Sequence, residues 1–176
     1  MNIFELRQYT LHPGRRDELI ELFDRELVEP QEACGMVVLG QFRDLDDPDR
    51  FVWIRAFHDM PSRLRALTAF YDGPTWAEYG MQAASTMIDS SDARLLEPLS
   101  LDLDLPPRPP VHAPDPDTVL YAGDPDPGAF AVLATKDAPN DFPRLPIRTD
   151  PVVIALSRHE IPGGLRLAPT GRSLLR

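Results

Sequence analysis

The first half of the chain alternates between two hydrophobic periods. Ile3 to Leu11 alternates with a period of two and carries β-favouring residues, which predicts a strand. Pro13 suits the first turn of a helix, where its missing N–H has no intrahelical partner to lose. Leu19, Leu22, Phe23 and Leu27 then recur on one helical face, and Gly35 supplies a left-handed stop. Met36–Arg43 reads as strand 2, Asp44–Arg50 as a polar turn and Phe51–Phe57 as strand 3. Asp59 is placed as an N-cap with Pro61 in the first turn of a second helix, which buries Leu64, Leu67 and Phe70 or Tyr71. Asp72-Gly73-Pro74 breaks that helix. A short helix carrying Trp76 and Tyr79 follows, and Ala93–Glu97 is strand 4.

This order, βαββαβ, is that of a ferredoxin-like unit in the α+β class. Right-handed crossovers put strands 1 and 3 side by side and parallel, with strand 4 on the far side of strand 1 and helices over one face. Strand parity divides the side chains. Phe4, Leu6, Val52, Ile54 and Ala56 are expected beneath the helices. The other face carries Glu5, Arg7, Tyr9, Trp53 and Arg55, too aromatic for water and too charged for a dry core. A second sheet over it would make a polar barrel interior, holding an anionic group against Arg and an aromatic body against Trp53 and Tyr9. The competing reading is structural: Glu5 pairs with Arg7 or Arg55, and Trp53 fills a sheet–sheet interface.

Proline separates the halves. Fifteen of the 20 prolines lie at Pro98 or later, and Leu105–Pro116 reads as an extended polyproline spacer. The expected organisation is a domain over 1–99, a linker over 100–117 and a β-rich second half over 118–176. Val132–Asp137, Val152–Leu156 and Arg172–Leu175 echo strands 2, 3 and 4, while Ala122–Gly128 offers a turn where the first helix should recur. The second half is thus read as a degenerate repeat.

Charge and composition narrow the partners. With 43% hydrophobic and 26% charged residues the chain is expected to fold. A net charge of −10 argues against nucleic acid and against anionic membranes. Cys34 is the only cysteine, so no intrachain disulfide or Cys₄ zinc site is possible. The first residues lack a signal-peptide pattern, and a cytoplasmic location is expected. No H-x-H or H-x-x-x-H pair is present, and neither a metal nor a cofactor is expected. His58 beside Asp59 is a candidate acid–base group, as is Tyr9, although a turn with an N-cap explains the pair equally.

Glu5-Leu6-Arg7-Gln8-Tyr9-Thr10-Leu11-His12-Pro13-Gly14 resembles the opening E-L-R-x-Y-T-L-x-P-G of the NIPSNAP family. Phe51–Met60 resembles that family's third strand and turn, and Phe70–Trp76 its post-helix corner. Ala138–Arg148 resembles the second unit of longer bacterial members. The resemblance implies a dimeric α-β barrel, formed either by a homodimer or by an internal pseudo-dimer, and no general reaction. Tyr79 stands where many longer members carry His, so no role for that imidazole transfers. Three functions follow: a small-molecule-binding barrel taking an anionic or aromatic ligand, a non-catalytic dimerisation or interaction protein, or a cofactor-independent oxygenase-like or isomerase-like enzyme.

Overall fold

The computed structural model describes residues 1–176. β1 (Ile3–Leu11) leads into α1 (Arg16–Leu22), a π-helical turn over Phe23–Leu27, and α2 (Val28–Ala33). β2 (Val37–Asp44) and β3 (Arg50–Phe57) form a hairpin, and α3 (Met60–Tyr71) and α4 (Pro74–Ser85) precede β4 (Met87–Leu101). The second half contributes β5 (Leu120–Gly123), β6 (Ala131–Thr135), β7 (Val153–Ser157) and β8 (Leu165–Pro169). No helix is long and apolar enough to cross a membrane.

Local signals account for most boundaries. Leu19, Leu22, Phe23 and Leu27 are all buried. Gly35, at φ 96°, turns the chain out of α2. Asp59 caps α3, its carboxylate accepting the Ser62 N–H at 2.7 Å. The buried stripe of α3 differs from the expected one: Arg63, Ala66, Leu67 and Phe70 are inside, while Leu64 is 40% exposed. These four share a helical face, and Arg63 stays there because partners await it. β4 is longer than its expected core, Ala93–Glu97, because it pairs first with β1 and then with β6.

Eight strands close into a barrel in the order β1-β3-β2-β8-β5-β7-β6-β4. β1 and β3 are neighbours, but antiparallel rather than parallel. The crossover through α1 and α2 makes β2 run with β1, and the hairpin then reverses β3 before it enters between them. The second-half strands stand in the order β8-β5-β7-β6, the fourth-first-third-second order of the first half with its helices removed. The halves join where β2 meets β8 and where β6 meets β4. Arg172–Leu175, expected to echo strand 4, is instead outside any strand; that place belongs to Leu165–Pro169. The proline-rich segment is tied down: Leu103 and Leu105 pack on the barrel core, and Arg108 donates to the Arg172 carbonyl at 2.8 Å.

The two faces of the first sheet are the reverse of those expected. Phe4, Leu6, Val52, Ile54 and Ala56 point into the barrel, where Leu120, Leu133, Leu156 and Leu167 meet them. Tyr9, Phe51, Trp53 and Phe57 lie beneath the helices, against Leu19, Phe23, Leu67 and Phe70. The cause is volume. An eight-stranded barrel is just wide enough for its own side chains, so branched and small apolar residues fill it. Trp53 and long guanidinium groups need the deeper layer between sheet and helix, where helical side chains also supply partners. A bulge in β2 between Val38 and Gly40 lets Leu39 and Phe42 both reach the barrel interior. Gly40 is required there, since a Cβ would meet the Phe42 ring at 2.3 Å.

Candidate functional site

Beneath the helices lies a buried ionic cluster built on Glu5, which is fully buried. β1 and β3 set its register: Glu5 pairs with Arg55 across the strands, and Arg7 with Trp53. One Glu5 oxygen lies 2.6 Å from Arg55 Nη2 and 3.5 Å from Arg7 Nη1. The other accepts from Arg63 of α3 at 2.6 Å. Burial alone pushes the Glu5 carboxyl up, but the charges of Arg55, Arg63 and Arg7 outweigh it and hold the pKa at about 2.

Each arginine has further partners. Arg7 Nε donates to the Tyr9 hydroxyl at 3.0 Å and Nη2 to the Ser90 carbonyl at 3.3 Å. Burial lowers the pKa of Arg7, yet Tyr9 and Glu5 raise it on balance, so it stays charged. Arg55 donates to Gln31 Oε1 at 3.2 Å and stacks over Trp53, 5.0 Å from the ring centroid. Arg63 pairs with Asp141, from the loop between β6 and β7, and approaches Asn140 at 3.4 Å. The carboxylate expected from an external anion is thus partly supplied by the second half of the chain. Three guanidinium groups face two carboxylates, Glu5 and Asp141, leaving one positive charge in excess.

Above the cluster is an aromatic cleft. Tyr9, Phe23, Trp53, Phe70, Tyr71 and Trp76 supply its walls. The Phe23 and Trp53 rings meet edge to face at 4.9 Å, and Tyr71 and Trp76 at 4.7 Å. Burial raises the Tyr71 pKa and keeps its hydroxyl protonated at neutral pH. The cleft encloses about 20 Å³, room for roughly one water molecule. The Trp53 indole nitrogen is buried and has no acceptor.

Glu5, Arg7, Tyr9, Trp53 and Arg55 therefore come together. His58 does not join them: its side chain is 80% exposed, and its Nδ1 lies 3.1 Å from the Asp59 carboxylate that caps α3. No group of three or more His, Cys, Asp or Glu is arranged to hold a metal ion. Arg63, Gln31 and Asp141 went unread in the sequence. Arg63 had a signal, as a charge on the apolar stripe of α3. Asp141 had none, because its contact spans 78 residues.

The NIPSNAP family profile matches residues 4–101, more than half of the chain. The chain belongs to the NIPSNAP family. Solved structures agree on the fold. An uncharacterised NIPSNAP-like domain protein from Burkholderia xenovorans superposes with a TM-score of 0.53 at 26% identity, covering 60% of this chain and 91% of that one. A NIPSNAP family protein of unknown function from Agrobacterium tumefaciens gives 0.51 at 19% identity, covering 55% and 87%. A further uncharacterised NIPSNAP domain protein from Burkholderia xenovorans gives 0.52 at 16%, covering 58% and 99%. These relatives match about one unit of this chain. No curated protein matches it.

Proposed function

We propose that this protein is a small-molecule-binding α-β barrel whose ligand enters the aromatic cleft between helices and sheet. The observation that carries this reading is the buried Trp53 indole N–H without an acceptor, beside a cluster with one unbalanced positive charge. Both favour a small aromatic ligand bearing an anionic acceptor. Such a ligand exceeds the present cleft, so Trp76 and α4 must move outward to admit it. Tyr9 and Trp53 form its wall, with Glu5, Arg7 and Arg55 as the charged floor. We place it in the cytoplasm, in keeping with its single cysteine.

In the same reading the second half takes the place of a second copy, because its four strands repeat the strand order of the first and join it at both edges. The chain then acts as an internal pseudo-dimer and is monomeric in solution.

Fluorescence titration in a Trp76→Phe background, with benzoate, phenylacetate and indole-3-acetate as probes, tests the cleft. Saturable quenching of Trp53, weakened when Tyr9→Phe is added, supports it. Equal response to the uncharged amides removes the anionic part of the proposal. No response to any probe favours the second reading, a non-catalytic interaction protein, which the packed barrel interior supports.

A further inference from the structure

A second concave site lies at the opposite face of the sheet, at one end of the barrel. Phe4 and Leu6 point into the apolar interior, and Gln8 and Thr10 continue the same face outward. Register carries the polar layer across three strands. Thr10 stands opposite Arg50 of β3 and Asp89 of β4, and Gln8 opposite Asp92. The barrel wall is incomplete here. As far as Asp92, β4 pairs with β1 alone; Arg148 bridges it at Arg94, and β6 begins its pairing only at Leu96. An irregular register between Gln8 and Thr10 bends β4 at the opening. Arg148, from the loop preceding β7, closes the remaining side.

The resulting hollow holds about 420 Å³ and has no apolar residue in its lining. Its groups are poorly matched to one another. Arg148 reaches Asp92 at 3.5 Å and Asp150, outside the lining, at 3.2 Å, and Arg50 reaches Asp44 and Asp47 at 3.4 and 3.3 Å. Asp92 Oδ1 is buried and, beyond that long contact with Arg148, has no hydrogen-bond donor. Two guanidinium groups and two carboxylates leave the lining neutral, whereas the whole chain carries −10. A multiply charged anion is therefore disfavoured by the protein's field. A sugar is disfavoured by the absence of an aromatic ring to stack on.

We propose that this barrel mouth binds a small zwitterion of the amino-acid class, its carboxylate on Arg148 and Arg50 and its ammonium on Asp92 and Asp89. A free α-amino acid carries both charges, and its ammonium offers Asp92 Oδ1 a closer donor than Arg148 does. The site shares no residue with the helix-side cleft, so the two proposals stand or fall separately.

Isothermal titration with glycine and L-serine tests it, against glycolate, ethanolamine and glycerol as probes carrying one charge or none. Saturable binding of an amino acid is expected, with each single-charge probe weaker by roughly tenfold or more. Arg148→Gln, at an exposed position, and Asp92→Asn should each weaken amino-acid binding by a similar factor while thermal unfolding stays cooperative. Glycolate or ethanolamine binding as tightly as glycine would overturn the zwitterion assignment. Absence of binding by either amino acid, or undiminished binding in Arg148→Gln, would overturn the site itself. His58→Ala, at an exposed position outside both sites, should leave amino-acid binding unchanged.

Discussion

The two cores on either side of the first sheet are made by alternate residues of the same strands, yet they solve different problems. The barrel interior, with Phe4, Leu6, Ile54 and Leu133, is apolar throughout and depends on volume. The helix-side core holds Trp53 and Phe23 beside Glu5 and three arginines, and depends on matched charge as well. A closed barrel leaves a side chain no partner but another strand's side chain. Helices above a sheet bring Gln31 and Arg63, and the loop after β6 brings Asp141. Charges can be buried only on the side where such partners arrive.

Glu5→Leu should break the charged core most severely. It leaves three buried guanidinium groups short of a carboxylate, an effect of about 3–5 kcal/mol. Denaturant unfolding measures it. Adding Arg55→Met and Arg63→Met should recover much of the loss, because burying the charges is itself costly. If Glu5→Leu alone is neutral, the cluster is not the fixed element described.

Acid should separate the cores next. The Glu5 pKa falls from an ordinary 4.5 to about 2 in the folded protein. Its contribution is present above pH 4.5 and is lost as pH falls towards 2, about 3 kcal/mol in all. Wild type should lose stability over that window, and Glu5→Leu should lose less.

Asp24, on the π-helical turn, has the opposite sign. Burial raises its pKa from 3.8 to about 6, against the lowering effects of Thr170 and Arg172. It therefore costs stability above pH 6 and nothing below about 4. Asp24→Asn, still able to accept from Gln41, should stabilise the protein near neutrality by on the order of 1–2 kcal/mol, allowing for solvent screening. The gain should vanish by pH 4, which thermal melts at both pH values can check.

The smallest effect belongs to the barrel interior. Ile54→Val removes one methylene group from a packed site and should cost about 1 kcal/mol. Measured across the same acid range, its cost should not vary with pH.

The elements of the first half were legible because each is written locally: alternation in Ile3–Leu11, the Asp59 cap, the Gly35 stop. The grouping of Glu5, Arg7, Tyr9, Trp53 and Arg55 was legible too, because parity is a local property. Which face they occupy was not. Parity sorts side chains into two sets without saying what covers each, and that was decided by a second sheet whose short strands carry little pattern. The relative direction of β1 and β3 followed from the hairpin and was misread. Arg63 shows a charge on an apolar stripe as a usable signal, whereas Asp141 reaches the cluster only through the long loop between β6 and β7.

Nuclear Overhauser contacts of the Trp53 ring in isotope-labelled protein test most directly which core holds the charged face. The ring should show contacts to Phe23, 4.9 Å away between centroids, and to Tyr9, with none to Leu133 or Leu156 of the barrel interior. Contacts from Trp53 to Leu133 or Leu156 would place the aromatic and charged face inside the barrel and contradict the two-core arrangement.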